Sequence, residues 1–143
     1  MVTAEQLDLA LLCDDEGNSV RITVLGPLQG VAGGLAAEIV VGTPFVAGRV
    51  ALSLWRSRLT SWAEALDRLE AGEDIAWLHV QRGPSLSIHL NGERDCPEVV
   101  VEDVLDSMTA VRVPIDLPDD WIATHRGLLA AVLDAWEGHL SPE

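Results

Sequence analysis

The sequence predicts an α+β fold, with a mainly antiparallel sheet of about eight strands and two helices in the order ββββ-α-ββββ-α. Three observations carry this reading. Runs with a two-residue apolar period recur in two blocks, and SVRITVL (Ser19–Leu25) and VRVPIDL (Val111–Leu117) are the clearest. Only two stretches carry a helical apolar stripe, SWAEALDRLEAG and the segment from about Asp119 to Glu137. Long strand runs with so few helices fit an antiparallel α+β arrangement and not a doubly wound sheet. With 143 residues, the chain reads as one domain over 1–143, frayed at about 1–5 and 138–143.

Strand one covers about Gln6 to Leu12, and DDEGN follows as a turn in which Gly17 and Asn18 can take positive φ. Strand two places Val20, Ile22 and Val24 on one face and Arg21 and Thr23 on the other. The segment GPLQGVAGG then breaks the chain as a mobile loop. It cannot be a P-loop, because all nine cations are arginines and that motif needs a lysine. Strand three is Leu35 to Val41 and strand four about Phe45 to Leu54.

The first helix is expected to open on a capping box, with Ser61 and Glu64 in S-x-x-E spacing. Trp62, Ala65, Leu66 and Leu69 form its buried stripe, and Gly72 stands where a left-handed residue ends a helix. IAWLHVQRGPSLSIHL (Ile75–Leu90) reads as a hairpin. Setting Leu78 and Val80 against Leu90 and Ile88 makes one apolar face and leaves Gly83, Pro84 and Ser85 as its loop. Strand seven lies near Glu98 to Val104. Strand eight contains Pro114, which removes a ladder donor and places that strand at an edge. The second helix starts at Pro118–Asp119 and stops at Gly138, with Ile122, His125, Leu129, Val132, Leu133 and Trp136 on its stripe.

Composition narrows function by exclusion. A net charge of −14 opposes binding to nucleic acid or to an anionic membrane and favours a basic protein partner. Cys13 and Cys96 are far apart and read as free thiols. The first residues carry Glu5 and Asp8 and no basic segment, so no signal peptide is expected. The longest uncharged run, Ile22 to Ala37, contains Pro27 and four glycines and is too short for a membrane span. A cytoplasmic location follows as an expectation. No G-x-S-x-G, H-E-x-x-H or dinucleotide-binding glycine pattern occurs.

Two sites stand out. In the register above, His79 and His89 oppose each other, and Trp77 and Ser87 share their face. Opposed side chains approach within about 5 Å at Cβ. Zinc needs three or four ligands and the spacing indicates no third, so neither a metal nor a cofactor is expected there. His125, on an apolar stripe, reads as a satisfied core histidine. The Asp119–Asp120 pair reads as a helix cap. The second site is acidic. Nine acids lie between Glu93 and Asp120, and none lies between Glu38 and Glu64. Glu98, Glu102, Asp103 and Asp106 therefore form the candidate face for a basic partner.

GNSVRITVLG, PFVAGRVALSL, SWAEALDRLEAGEDIAWL, PSLSIHL and VPIDLPDDWIATHRGLLAAVLDAW, in that order, resemble a domain-of-unknown-function family common in actinobacteria. The same segments are more distantly similar to WapI-type immunity proteins. The resemblance covers about residues 6 to 137 and rests on structural motifs. It implies immunity-like binding and transfers no site residues. Three readings stay open. The first is a non-enzymatic soluble binding module with a basic partner. The second is a small-ligand or enzymatic domain using Trp77, His79 and His89. The third is a homo-oligomerisation domain, such as a homodimer.

Overall fold

A computed structural model describes residues 6–78, 83–92, 96–103 and 108–141. Four strands come first: β1 (Leu7–Cys13), β2 (Ser19–Pro27), β3 (Gly34–Gly42) and β4 (Ala47–Trp55). Helix α1 (Arg56–Glu70) leads to β5 (Ile75–Trp77), β6 (Pro84–His89), β7 (Glu98–Asp103) and β8 (Thr109–Pro114). Helix α2 (Trp121–Trp136) and a 3₁₀ turn (Glu137–His139) close the chain. The fold is therefore α+β in the expected order. The strands divide into two antiparallel meanders, ordered β1-β2-β3-β4 and β5-β6-β7-β8.

In the first sheet, Ile22 pairs with Ile39, and Ala37 pairs with Leu52. The period-two pattern therefore stacks Val20, Ile22, Val24, Leu35, Ile39, Leu52 and Leu54 on one buried face. Arg21, Thr23, Glu38 and Arg49 lie on the other face, as expected of an antiparallel sheet with one solvated side. A register shift between Asp8 and Ala10 lets both Leu9 and Ala10 bury. A second shift between Val24 and Gly26 carries β2 on to Pro27, so the Gly-rich loop shortens to residues 28–33. The apolar faces of both sheets and the buried sides of both helices merge into one core cluster.

Helix α1 starts earlier than its cap motif suggests. β4 runs directly into it through Trp55, and no side chain caps the first turn. Ser61 lies inside the helix, so the Ser61–Glu64 capping box does not form. Its hydroxyl instead donates to the Arg58 carbonyl (2.9 Å) and accepts the Trp77 indole N–H (2.9 Å). The helix end is as expected. Gly72 takes φ +87°, its N–H bonds the Leu69 carbonyl, and the Glu73 N–H bonds the Arg68 carbonyl. This is the Schellman pattern, which requires a left-handed residue.

Helix α2 packs mainly along β1. His125 is buried, and both its ring nitrogens are used. Nε2 accepts the Leu11 N–H at 3.0 Å, and Nδ1–H donates to the Trp121 carbonyl at 2.6 Å. Arg126 fastens the same helix to α1 by bonds to Asp67 (2.8 Å) and Glu70. Asp120 occupies the N-cap position but makes no side-chain capping bond, so the expected cap role of Asp119–Asp120 is not realised. Of the ends expected to fray, residues 1–5, 142 and 143 lie outside the described residues, and residues 138–141 are docked. Leu140 is buried, and Arg56 holds the carbonyls of Ser141 (2.8 Å) and Leu140 (3.4 Å) and the carboxylate of Glu137 (2.9 Å). A Cβ on Gly33 would lie 1.8 Å from Ser141 Oγ, so the tail packs only against glycine there.

Burial pushes the His125 imidazole below its ordinary value of about 6.5, and the Trp121 hydrogen bond offsets this only in part. The native state therefore holds the neutral ring. Its contribution is complete above pH 6.5 and is lost as pH falls, because the unfolded chain takes up the proton first. Urea unfolding between pH 7.5 and 5.5 should show stability falling by up to about 1.4 kcal/mol per pH unit below 6.5. In His125→Phe that slope should flatten, and the orphaned Leu11 N–H should cost about 1–3 kcal/mol at pH 7.5. An equal slope in the variant would remove His125 as its source.

Candidate functional site

The hairpin beginning at Ile75 has a different register from the expected one. Ile75 pairs with Ile88, Ala76 with Ser87 and Trp77 with Leu86. Ile88 thus faces Ile75 in place of Val80, a slip of five positions, and an odd slip reverses every face. Trp77 turns inward and is 3% exposed. Its ring stands 4.8 Å from that of Trp62, and its N–H is held by Ser61 and the Arg58 carbonyl. These contacts decide the register, because a large indole gains both burial and an N–H partner by facing α1. The expected outer face of Trp77, His79 and His89 therefore does not form around Trp77. Pro84 and Ser85, expected in the loop, open β6. His79 lies outside the described residues. His89 is exposed and faces Asp74, with Nδ1 3.5 Å from the carboxylate. Among the described residues, no group of three or more His, Cys, Asp or Glu side chains is placed to hold a metal ion.

The acidic residues also separate. Glu98 was expected in solvent but is buried at 7% exposure, 3.5 Å from Arg112 and packed over Gly92, where a Cβ would collide with it. Glu102 is exposed and Asp103 half-buried, on opposite faces of β7. Asp106 lies outside the described residues. Glu102 is thus the member of the set that the described structure leaves fully at the surface.

Sequence reading missed a groove between the edge strands of the two sheets. β4 and β8 each have a strand neighbour on one side only. Between them runs a cavity of about 250 Å³ lined by Ile39, Val41, Val50, Val101 and Val111, with Asp103, Thr109 and Arg49 at its margins. A second cavity of about 500 Å³ adjoins it, sharing Val46 and Val111 in its wall and lined also by Phe45, Val113 and Glu98. Gly48 in β4 faces open space and leaves the backbone bare, as where another backbone approaches a strand.

Among the described residues, the two most exposed large apolar side chains are Phe45, which lines the second cavity, and Met108, which precedes Thr109 in the wall of the first. Phe45, the sole phenylalanine, is 94% exposed, and Met108 is 84% exposed. Phe45 is not loose. Thr43 Oγ1 accepts the N–H groups of Phe45 (3.1 Å) and Val46 (2.8 Å), and the Thr43 N–H bonds the Val46 carbonyl at 2.8 Å. These bonds fix the backbone of the four-residue turn, from which the Phe45 ring projects into solvent. The signal was present in GTPFVAG, where a threonine stands two residues before an isolated phenylalanine, but sequence alone does not reveal exposure.

Comparison with known proteins yields one family. Residues 7–137 match a family described as "Family of unknown function (DUF5959)". No curated protein matches the chain. Among the described residues no helix is long and apolar enough to cross a membrane.

The Thr43 mount is directly testable. Thr43→Val keeps the shape and removes the acceptor, so it should cost about 1 kcal/mol in unfolding free energy. It should also lower the backbone NMR order parameter at Phe45. An unchanged order parameter would mean that another constraint holds the turn.

Proposed function

The chain belongs to the DUF5959 family, which brings no assigned activity, and we propose from its own surface that it is a non-enzymatic protein-binding module. Its groove between β4 and β8 takes an extended segment of a basic partner. The observation that carries this reading is Phe45, almost fully exposed on a hydrogen-bonded turn at the mouth of an apolar groove. A large aromatic in water on a backbone turn that is already ordered has little backbone entropy left to lose on docking and suits the role of a binding anchor. Two open strand edges suit main-chain pairing with an extended segment. The net charge of −14, with Glu102 and Asp103 on β7, favours a basic occupant and speeds its encounter.

Immunity-like action fits the same features, since blocking a partner needs surface complementarity and no catalytic group. A role of the WapI immunity type, acting in the cytoplasm, is the form of this proposal that the sequence resemblance implies. A second copy of the chain is the alternative occupant, favoured by the exposed edge of β8 beside Met108.

Selection of a displayed random-peptide library on the purified chain should enrich basic peptides with apolar anchors. Phe45→Ser combined with Met108→Ser should abolish their binding while changing stability by no more than about 0.5 kcal/mol. Reversal of Glu102 and Asp103 to arginine should slow association mainly at low salt, since the Debye length is about 8 Å at physiological ionic strength. Peptides that bind the Phe45/Met108 variant equally well would refute the groove. A sedimentation mass of two chains that becomes one chain in that variant would assign the groove to a second copy.

A further inference from the structure

Of the nine arginines, Arg82 and Arg94 lie outside the described residues. Six of the other seven face a carboxylate: Arg21 with Asp8, Arg49 with Glu38, Arg56 with Glu137, Arg68 with Glu73, Arg112 with Glu98 and Arg126 with Asp67. Arg58 alone faces no carboxylate among the described residues. Its side chain is half-buried, and Nη1 donates to the Ser53 carbonyl at 2.6 Å. A guanidinium has five donors, and the Ser53 carbonyl is the one acceptor that the Arg58 guanidinium meets among the described residues. A charge drawn partly out of water without a counter-charge is costly, and desolvation is the cause that lowers the proton affinity of Arg58.

The position adds to the anomaly. Arg58 stands in the first turn of α1, where the helix dipole disfavours a cation, and that turn has no acid and no side-chain cap. It lines a cavity of about 700 Å³ between α1 and β5. Ala65, Ile75 and Leu78 supply apolar wall, and Trp77 closes the end near Arg58 through its bonds to Ser61 and the Arg58 carbonyl. Glu64, Asp67 and Arg68 also line the cavity; Asp67 is bound by Arg126 and Arg68 by Glu73, so Arg58 and Glu64 are the lining charges that no ion pair among the described residues neutralises.

We propose that this cavity binds a small organic monocarboxylate with a compact apolar body, and that Arg58 supplies its counter-charge. The carboxylate takes the free donors of the guanidinium, with the amide groups of the first turn of α1 adding favourable dipole, and the apolar body lies against Ile75 and Leu78. This site is separate from the groove between β4 and β8, and neither proposal depends on the other.

The test titrates the ¹⁵N-labelled chain with benzoate, benzamide and inorganic phosphate at constant ionic strength. The signals read are the Trp77 indole N–H and the Arg58 Nε–H. Benzoate should shift both saturably, neutral benzamide should bind about tenfold more weakly or not at all, and Arg58→Gln should weaken benzoate by about tenfold or more. Ala76→Glu adds a competing carboxylate on the exposed side of β5 and should also weaken benzoate, which keeps the test open if Arg58→Gln fails to fold. Displacement of benzoate by phosphate would support oxyanion recognition at Arg58. Saturation by phosphate without binding of benzoate would overturn the carboxylate assignment. Equal affinity for benzamide, or benzoate binding unchanged by both substitutions, would overturn the site.

Discussion

A single histidine ring joins the first strand to the last helix. Leu11 lies on β1, the outer strand of its sheet, and an outer strand carries backbone groups that no neighbour satisfies. His125 meets one of them from α2, 114 residues away in sequence, and anchors its other nitrogen on the helix carbonyl of Trp121. Helix α2 thereby serves as the lateral neighbour that β1 lacks. The arrangement holds only while the ring is neutral with its proton on Nδ1, since the protonated ring cannot accept from Leu11. Once α2 is set along β1, Arg126 fixes α1 against it, and Arg56 draws the tail across the start of α1. The core is closed by these long-range polar contacts as well as by its apolar faces.

Closure of one edge leaves others open. Two meanders have four outer strands. α2 guards β1 and α1 lies along β5, whereas the groove runs between β4 and β8. The exposed Phe45 and Met108 gather at that groove, and the carbonyl-bound Arg58 lies beside β5. Both proposed binding regions thus lie where a strand edge lacks a strand neighbour. This follows from the topology, because each four-stranded meander stays open and its first and last strands have a neighbour on one side only. Charge works at a longer range. The acidic surface biases which partners approach, and the rigid turn at Thr43 and the apolar groove decide what can stay.

Legibility followed locality. The strand blocks, the helix stop at Gly72, the edge position of Pro114 and the core role of His125 were all readable, because each depends on side-chain period, backbone φ or a missing donor within a few residues. The start of α1 was misread since Ser61 has the right spacing for a cap, and only the approach of Trp77 shows that its hydroxyl serves elsewhere. The acidic run was read as one face. Strand alternation splits Glu102 from Asp103, and contact with Arg112 and Gly92 buries Glu98.

The sequence by itself determined the order of elements, the alternation of faces and the sign of the electrostatic field, because these are properties of composition and short-range geometry. Tertiary structure alone decided the register of β5 on β6. Two apolar alignments compete there, and the winner is the one that gives the Trp77 indole both a buried contact with Trp62 and a partner for its N–H. It also decided which hydrophobic residues stay in water. Phe45 reads as an ordinary core residue until the two sheets are placed and no wall stands above its turn. Arg58 reads as one cation among nine until the pairing of the other described arginines is seen to leave it bound to a backbone carbonyl and to no carboxylate.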